Sequence, residues 1–368
     1  MITIILSVIL IIYLFVIAWL SYGFSKIKKY QSTGIPPKTR FTIVVPYRNE
    51  IENLPILLNS ISKLNYPIEL FEVILVDDDS EEAFCILSQK FSIQIIENIR
   101  VSNSPKKDAI TTAMQHASTE WIITTDADCI VPKNWLQTLD NYIQLHDVSM
   151  IAGAVTYECN KSFLHHFQQL DLTSLQGATI GSFGLNKGFM CNGANFAYTK
   201  SLFEKLNGFD GNNKIASGDD VFLLQKAIAA FPVQVHYLKA EENIILTKPT
   251  PDWESLFYQR VRWAAKTGSY QSAFGKLLGI IVFLANLSVV ITWVLFLALQ
   301  INYLNLLGIL IFKFILDSIL LYQTNYFLTK KQMRFFILSN LWYPFFSTSV
   351  ALYSLLGSYE WKGRQFSK

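Results

Sequence analysis

Residues 41–50, FTIVVPYRNE, decide the fold class of this chain. The first five are apolar or β-branched and predict a buried strand that ends at Pro46. The same pattern returns downstream, with strands predicted at 72–76, 93–97 and 121–125 and helices at 53–64 and 108–117. Apolar strands that alternate with helices predict a mostly parallel sheet covered by helices on both faces.

Polar residues collect where three of these strands end, at positions 46–50, 77–80 and 126–128. Each cluster alone could be turn chemistry, because Asp and Asn favour turns. Ligands of such sheets bind beyond the carboxyl ends of the strands, however, and like charges gathered there repel unless a cation or a hydrogen-bonding ligand lies among them. The Asp-x-Asp spacing of Asp126 and Asp128 suits Mg²⁺ or Mn²⁺, which prefer oxygen ligands. The sequence therefore predicts a metal–diphosphate site.

A second acidic pair, Asp219 and Asp220, opens a helical pattern in SGDDVFLLQKAIA, residues 217–229. Ser and Asp are favoured at helix starts, where acidic side chains also interact well with the helix dipole. The alternative is that one carboxylate is a general base. The acidic strand ends upstream favour the catalytic interpretation, with the helix start holding the base in place.

The composition predicts a mixed soluble and membrane protein. Of 368 residues, 51% are hydrophobic and 16% are charged, with a mean hydropathy of +0.29. Residues 2–22 carry no charge and are long enough to cross a bilayer of about 30 Å. No basic region precedes them and no small-residue cleavage site follows, so we interpret them as a retained anchor. The basic residues behind the anchor favour a cytoplasmic soluble domain; they are Lys26, Lys28 and Lys29.

Three more apolar runs lie at 277–299, 303–322 and 335–356. A full third crossing would place a basic tail outside, against the positive-inside tendency; the tail cations are Lys362, Arg364 and Lys368. Asn340 and Pro344 interrupt the last run, so a re-entrant or interfacial segment stays open. Lys313 and Asp317 are four residues apart and are expected to neutralise each other within the membrane.

Other features narrow the possible functions. The net charge of +3 gives no reason to expect nucleic-acid binding. Four scattered cysteines without metal-ligand spacing predict neither a disulfide framework nor a zinc site. This pattern is typical of a domain that faces a reducing cytoplasm. Residues 162–180 form either an interfacial or a core helix, and we favour the interfacial one.

Seven motifs in order resemble those of family 2 glycosyltransferases, which have the nucleotide-sugar-binding GT-A fold, a Rossmann-like α/β architecture. The resemblance covers about residues 41–263, and its motifs are VVPYRNE, VDDDS, SPKKDA, TDADC, NGANFAY, SGDD and QRVRW. Two departures matter. Asp79 stands where the family usually has Gly, and Asp219 replaces the more usual Glu.

The resemblance implies a role for each motif. The residues expected at the nucleotide sugar are Pro46, Glu50, Asp78, Lys106 or Lys107, Asp126, Gly193 and Asn195. Asp128 would bind the Mg²⁺ or Mn²⁺ cofactor. Asp220 would be the base, with Asp219 as its supporting neighbour. The residues expected to brace the diphosphate and the acceptor are Gln259, Arg260, Arg262 and Trp263.

The expected protein is a multi-pass enzyme of the cell (inner) membrane with its catalytic domain on the cytoplasmic side. Its domains would be an anchor at 1–24, a GT-A domain at 25–270, a transmembrane region at 271–358 and a basic tail at 359–368. It would move a sugar, with inversion, from a nucleotide-diphosphate sugar of the UDP type to a lipid-linked or cell-envelope glycan. A processive polysaccharide synthase and a catalytically silent membrane scaffold are the alternatives.

Overall fold

The computed structural model describes residues 2–85, 90–212, 217–356, 359–361 and 364–366. Lys362 and Lys368, whose topology the sequence left open, lie outside these ranges. The chain divides into two compact units. The helical unit comprises Met1–Lys26, Cys159–Lys187 and Pro249–Lys368, and the α/β unit comprises Ile27–Glu158 and Gly188–Lys248.

The strands, in chain order, are β1 Phe41–Tyr47, β2 Phe71–Asp77, β3 Ser92–Glu97, β4 Trp121–Thr124, β5 Met150–Gly153, β6 Val155–Tyr157, β7 Phe196–Thr199, β8 Val235–Leu238, β9 Ile245–Thr247, β10 Tyr359–Trp361 and β11 Arg364–Phe366. The α-helices are α1 Ile2–Lys26, α2 Leu54–Ile61, α3 Pro105–His116, α4 Trp135–Leu145, α5 Phe163–Gly184, α6 Lys200–Lys205, α7 Asp219–Ala230, α8 Trp253–Ala265, α9 Ala273–Leu297, α10 Tyr303–Leu328 and α11 Phe336–Leu356.

The main sheet of the α/β unit has seven strands in the order β3-β2-β1-β4-β7-β5-β8. β1 lies between β2 and β4 and runs parallel to both, whereas β7 is antiparallel to β4 and β5. β6 and β9 form a separate parallel pair. The mostly parallel sheet, the four predicted strands and the helices between them are confirmed.

The core explains why the apolar strands are central. Ile43 and Val45 of β1 and Leu75 of β2 are fully buried, and they belong to one cluster with Leu57 of α2 and Trp135 of α4. Burial of apolar surface supplies most of the drive for this packing. The sheet therefore holds its strand ends, and the polar residues that follow them, in fixed positions.

The linker, residues 27–40, is bound along α4 by buried polar side chains. Asn141 accepts a hydrogen bond from Thr33 N–H at 3.2 Å, and Asp140 accepts one from Thr39 N–H at 2.8 Å. Both α4 side chains have no exposed surface. Buried polar groups are costly unless they are paired, so these contacts fix the linker rather than leaving it a free tether.

In the helical unit, α5 is a packed core helix, and the preferred interfacial interpretation of this segment is wrong. Gly181 and Gly184 approach α1 so closely that a Cβ on either would overlap the α1 backbone at Leu20 or Gly23. Fourteen of the 22 residues of α5 are buried. Its buried residues include the polar side chains of Gln168, Gln169, Asp171 and Gln176, which need partners inside the unit.

Three described helices are long and apolar enough to cross a membrane: Ile4–Lys26, Ala273–Leu297 and Tyr303–Leu328. α11 falls outside this group but continues past Pro344 without a break. The predicted pair is confirmed, with Lys313 Nζ 2.6 Å from Asp317 Oδ2. The Tyr13 hydroxyl donates to Asp317 Oδ1 at 2.6 Å, so the pair also joins α10 to α1.

Candidate active site

The carboxyl ends of β1, β2 and β4 meet at one edge of the sheet. Tyr47, the last residue of β1, is in register with Asp77 at the end of β2, and β1 is also paired with β4. The acidic clusters that follow β2 and β4 therefore share this edge. Their predicted convergence is confirmed, because parallel strands put all their carboxyl ends on the same side.

Asp78 is buried, with 6% of its surface exposed, and is held by two donors. Its Oδ1 accepts from Asn98 Nδ2 and from Arg100 Nε, each at 2.7 Å. No sequence motif predicts a role for Asn98 or Arg100, which lie just beyond β3. Their position after a third parallel strand was the available indication. The Asp78 carboxylate, which is expected to bind the base of the nucleotide, is thus oriented by two residues that follow the neighbouring strand β3.

Asp79, which stands where the family usually has Gly, adopts a glycine-like backbone conformation. Its φ is +65°, the left-handed conformation that Gly adopts without cost and that Asp tolerates better than most residues. The Arg48 guanidinium donates to Asp79 Oδ2 at 3.1 Å. The turn therefore keeps a glycine-like backbone although the residue has a side chain.

Pro46 and Glu50 lie at the end of β1 and in the turn that follows it. Pro46 is the penultimate residue of β1. Glu50 Oε2 accepts from Asn53 Nδ2 at 2.6 Å, and the Glu50 carbonyl accepts from the Asn53 N–H at 3.0 Å. Glu50 thus stabilises the turn that leads into α2.

The structure separates the two lysines between which the sequence could not choose. Lys106 Nζ lies 2.6 Å from Asp126 Oδ1 and 3.6 Å from Asp219 Oδ2. Lys107 is only 1% exposed, and its Nζ donates to the Asn212 carbonyl at 2.7 Å. The two side chains leave α3 in different directions, so Lys106 lies among the acidic residues and Lys107 in the interior.

Lys106 remains a cation in this setting. Burial acts to lower its pKa, but the charge of Asp126, that of Asp219, the hydrogen bond to Asp126 and the charge of Asp220 raise the pKa well above its usual value. Lys106 therefore supplies a permanent positive charge between the acidic turn after β4 and the acidic start of α7.

Asp220 is anchored by two backbone N–H groups. Its Oδ2 accepts from Gly193 N–H at 2.9 Å, and its Oδ1 accepts from Val221 N–H at 2.7 Å. A Cβ at Gly193 would stand 3.3 Å from Asp219 Oδ2, 3.4 Å from the Asp220 Cβ and 3.5 Å from Lys106 Nζ. Gly193 is thus the point where the acidic pair, Lys106 and the NGANFAY segment come together.

The donor set fits a hard divalent cation. Asp126 and Asp128 are partly exposed after β4 and offer carboxylate oxygens. Cys129 follows them, but burial and then the charges of Asp128 and Asp126 raise its pKa well above the usual value. Cys129 is also only 1% exposed, so the accessible donors of this turn are the carboxylate oxygens of Asp126 and Asp128. Among the described residues, no preformed group of three His, Cys, Asp or Glu is found, so diphosphate oxygens would have to complete the coordination.

Asn195 lies inside the fold rather than at the acidic edge. Its Nδ2 donates to the Ala154 and Asn243 carbonyls at 2.8 and 2.6 Å, and its Oδ1 accepts from Trp135 Nε1 at 3.1 Å. The side chain, 2% exposed, fixes the loop that carries Gly193.

The QRVRW motif lies on α8, in the helical unit. Arg260 is buried, pairs with Asp171 of α5, donates to Gln259 Oε1 and stacks on the Trp263 ring at 4.2 Å. Asp171 also accepts from the Tyr343 hydroxyl at 3.1 Å. Asp171 was not among the residues predicted from the sequence, although a lone acidic residue in an apolar helix pattern indicates a buried partner.

Comparisons with known proteins agree with this architecture. Residues 42–207 match the family described as Glycosyl transferase family 2. Glycosyltransferase AglE of Haloferax volcanii is 24% identical over 120 residues, 32% of this chain and 39% of that protein. The poly(ribitol-phosphate) beta-N-acetylglucosaminyltransferase TarS of Staphylococcus aureus is 29% identical over 120 residues, 30% of this chain and 20% of that protein.

A solved structure extends the likeness in fold. The mannosyltransferase PcManGT from Pyrobaculum calidifontis, solved with GDP-Man and Mn²⁺, superposes with a TM-score of 0.57 at 16% identity, covering 96% of this chain and 98% of that one. The matches to the two curated relatives span less than half of their lengths. The family match, the motif order and the sheet agree: residues 42–207 match a family 2 glycosyltransferase domain, and the α/β unit has the GT-A fold.

Proposed function

We propose that the chain is a membrane-bound, inverting glycosyltransferase that moves a sugar from a nucleotide-diphosphate sugar to a lipid-linked or cell-envelope glycan acceptor. One observation carries the proposal. Lys106 lies within 3.6 Å of both Asp126 and Asp219, while Asp220 is hydrogen-bonded to Gly193. A cation for the leaving group and a carboxylate for the acceptor are thereby adjacent.

On the donor side, the residues at the strand ends would bind the nucleotide. Asp78, oriented by Asn98 and Arg100, would accept a hydrogen bond from the base. Asp126 would contact ribose or phosphate. Asp128 would hold Mg²⁺ or Mn²⁺, with the Asp126 carboxylate beside it in the same Asp-x-Asp turn. When bound, the divalent ion supplies positive charge for the developing diphosphate.

Lys106 would stabilise the departing nucleoside diphosphate. Charge on the leaving group grows as the glycosidic bond to the diphosphate oxygen breaks, and a cation already in place stabilises that charge without reorganisation. The raised pKa of Lys106, for which burial is outweighed by Asp126, Asp219 and Asp220, supports this role because the group stays charged at neutral pH.

On the acceptor side, Asp220 would take the proton of the attacking hydroxyl. The acceptor oxygen forms a bond to the anomeric carbon as the bond to the diphosphate breaks, and the proton passes to Asp220. The two backbone N–H groups that bind Asp220 orient its carboxylate for this task. A single base and a direct attack imply inversion of the anomeric centre.

In the helical unit, we assign the bracing of diphosphate and acceptor to Arg262 rather than Arg260. Arg260 is 5% exposed and already pairs with Asp171, so its guanidinium is part of the packing between α5 and α8. Arg262 is partly exposed on the same helix. Guanidinium groups bind phosphate oxygens in a bidentate manner, which Lys cannot do.

The membrane location rests on three apolar helices and on the basic residues that follow the first of them. We propose an anchor at 1–24, a cytoplasmic catalytic domain at 25–270 and a transmembrane region at 271–358 of a multi-pass cell-membrane protein. PcManGT was solved with GDP-Man, and TarS is named for N-acetylglucosaminyl transfer. A UDP-sugar is the donor class to test first, with GDP-sugars beside it.

The test is a panel of nucleotide-diphosphate sugars offered with Mn²⁺ to native membranes that contain the protein. We expect release of nucleoside diphosphate from one donor class, and a product that carries one added sugar. A ladder of polymer would favour a processive synthase. Absence of release with every donor and every lipid acceptor tested would contradict the proposal and favour a silent scaffold.

A further inference from the structure

Lys106 and a divalent ion would compete for the same carboxylate. Lys106 Nζ is 2.6 Å from Asp126 Oδ1, a direct charge-assisted contact, and the Asp126 side chain is 40% exposed. Asp126 belongs to the Asp-x-Asp turn that would receive the metal. A cation already paired with this turn opposes a second cation, both by occupying an oxygen and by repulsion.

A second carboxylate lies near the ammonium group of Lys106. Asp219 Oδ2 lies 3.6 Å from Nζ, and the Asp219 side chain is only 10% exposed. Gly193 has no side chain, and the point where a Cβ would stand is 3.5 Å from Nζ. The ammonium group can therefore turn from Asp126 without leaving its negative surroundings.

A bound diphosphate would draw the ammonium group of Lys106 away from Asp126. Its oxygens bring negative charge to the edge where Asp126 and Lys106 lie, and an ammonium group with three donors can exchange a carboxylate for phosphate oxygens. The exchange would uncover Asp126 at the moment when phosphate oxygens become available to the metal. Metal and diphosphate binding would then favour each other.

We propose that Lys106 couples the two ligands: by pairing with Asp126 it weakens metal binding to the Asp126–Asp128 turn until a nucleoside diphosphate takes over its ammonium group. This inference rests on the proposed function for the identity of the two ligands. It assigns to Lys106 a role in the order of binding, beyond stabilisation of a leaving group.

The experiment is a titration of the full-length protein in detergent with Mn²⁺, followed by calorimetry or by the electron paramagnetic resonance of the free ion. The titration is repeated with saturating UDP and with saturating GDP. Lys106→Met is the main variant. Arg100→Met is the matched control, because it also removes one cation from the same sheet edge but one that pairs with Asp78.

For Lys106→Met we expect Mn²⁺ alone to bind about tenfold more tightly than to the wild type, since a nearby like charge is removed. The gain in Mn²⁺ affinity that a nucleoside diphosphate gives the wild type should shrink by a similar factor. Lys106→Arg, which keeps the charge, should restore weak binding of Mn²⁺ alone. Arg100→Met should change Mn²⁺ affinity much less than Lys106→Met.

Equal or weaker Mn²⁺ binding by Lys106→Met, or coupling of the wild-type size in that variant, would overturn the proposal. Should Lys106→Met fail to fold, Lys106→Gln is judged by the same two criteria. These outcomes are distinct from failure of the proposed function. A protein that transfers no sugar can still show or lack the coupling, since Mn²⁺ and the diphosphate are measured at equilibrium.

Discussion

Replacement of Asp220 by Asn tests the identity of the base most directly. Loss of a positioned base lowers the rate about 10²- to 10⁴-fold, which corresponds to about 3–5 kcal/mol in the activation barrier. The carboxylate of Asp220 also accepts from Gly193 N–H at 2.9 Å and from Val221 N–H at 2.7 Å. Asn retains one acceptor oxygen, so one N–H loses its partner at a cost of about 1–3 kcal/mol in folding stability.

Two measurements separate these effects. The turnover number for nucleoside diphosphate release, taken at saturating donor, reports the base, and the melting temperature in detergent reports the local hydrogen bonds. We expect Asp220→Asn to lower turnover at least about 10²-fold while the donor dissociation constant changes little, because the base acts on the acceptor.

Asp219→Asn is the matched control. Asp219 faces Lys106 at 3.6 Å, so its loss weakens a charge pair but leaves the Asp220 carboxylate in place. We expect a decrease in turnover of about tenfold, as for a partly screened pair at this distance. Wild-type turnover in Asp220→Asn would refute the assignment, and a larger loss in Asp219→Asn would reverse the two roles.

Three further outcomes follow from the contacts and charges described. Asn141→Ala should leave linker donors unpaired, at a cost of about 1–3 kcal/mol, and so lower the melting temperature and speed proteolysis of the linker; unchanged proteolysis would contradict a bound linker. Arg260→Met should lower folding stability by about 3–5 kcal/mol, because buried Asp171 loses its cation, whereas Arg262→Met should lower turnover without changing the melting temperature. Equal melting temperatures for the two variants would contradict this division of roles. Burial, and then the charge of Lys29, lower the pKa of Lys239 to about 8, so the folded protein loses this proton at a lower pH than the unfolded chain does. The free energy of unfolding should therefore rise between about pH 8 and pH 10.5 in the wild type but not in Lys239→Met.

The acidic edge shows how far local sequence reaches. Strand patterns put Asp78 and Asp126 after parallel strands, and parallel geometry alone brings such residues to one side of the sheet. Their partners follow from no local pattern, because Arg100 and Asn98 come from the neighbouring strand. Lys106 and Lys107 are adjacent and identical in sequence terms, and only the direction in which each leaves α3 separates them.

In the helical unit, the sequence predicts which segments are helices but not which of them are buried. An apolar run of sufficient length predicts a helix that can span a bilayer, and three such helices are present. Residues 162–180 were expected to form an interfacial helix, but close glycine contacts with α1 and the ion pair of Asp171 with Arg260 place α5 inside the helical unit. Amphipathic composition does not reveal which side chains find buried partners.

The sequence by itself determined the α/β class of the soluble domain, the order of its motifs, the apolar helices and the acidic residues at the strand ends. These depend on periodicity and chain order, which are local properties. Tertiary structure alone decided that Lys106 joins Asp126 to Asp219, that Gly193 holds Asp220 and that Asn195 is internal. Such contacts join residues that are 20 to 113 positions apart in the chain, as Lys106 with Asp126 and with Asp219 show, and only the packing of the sheet and its helices brings them together.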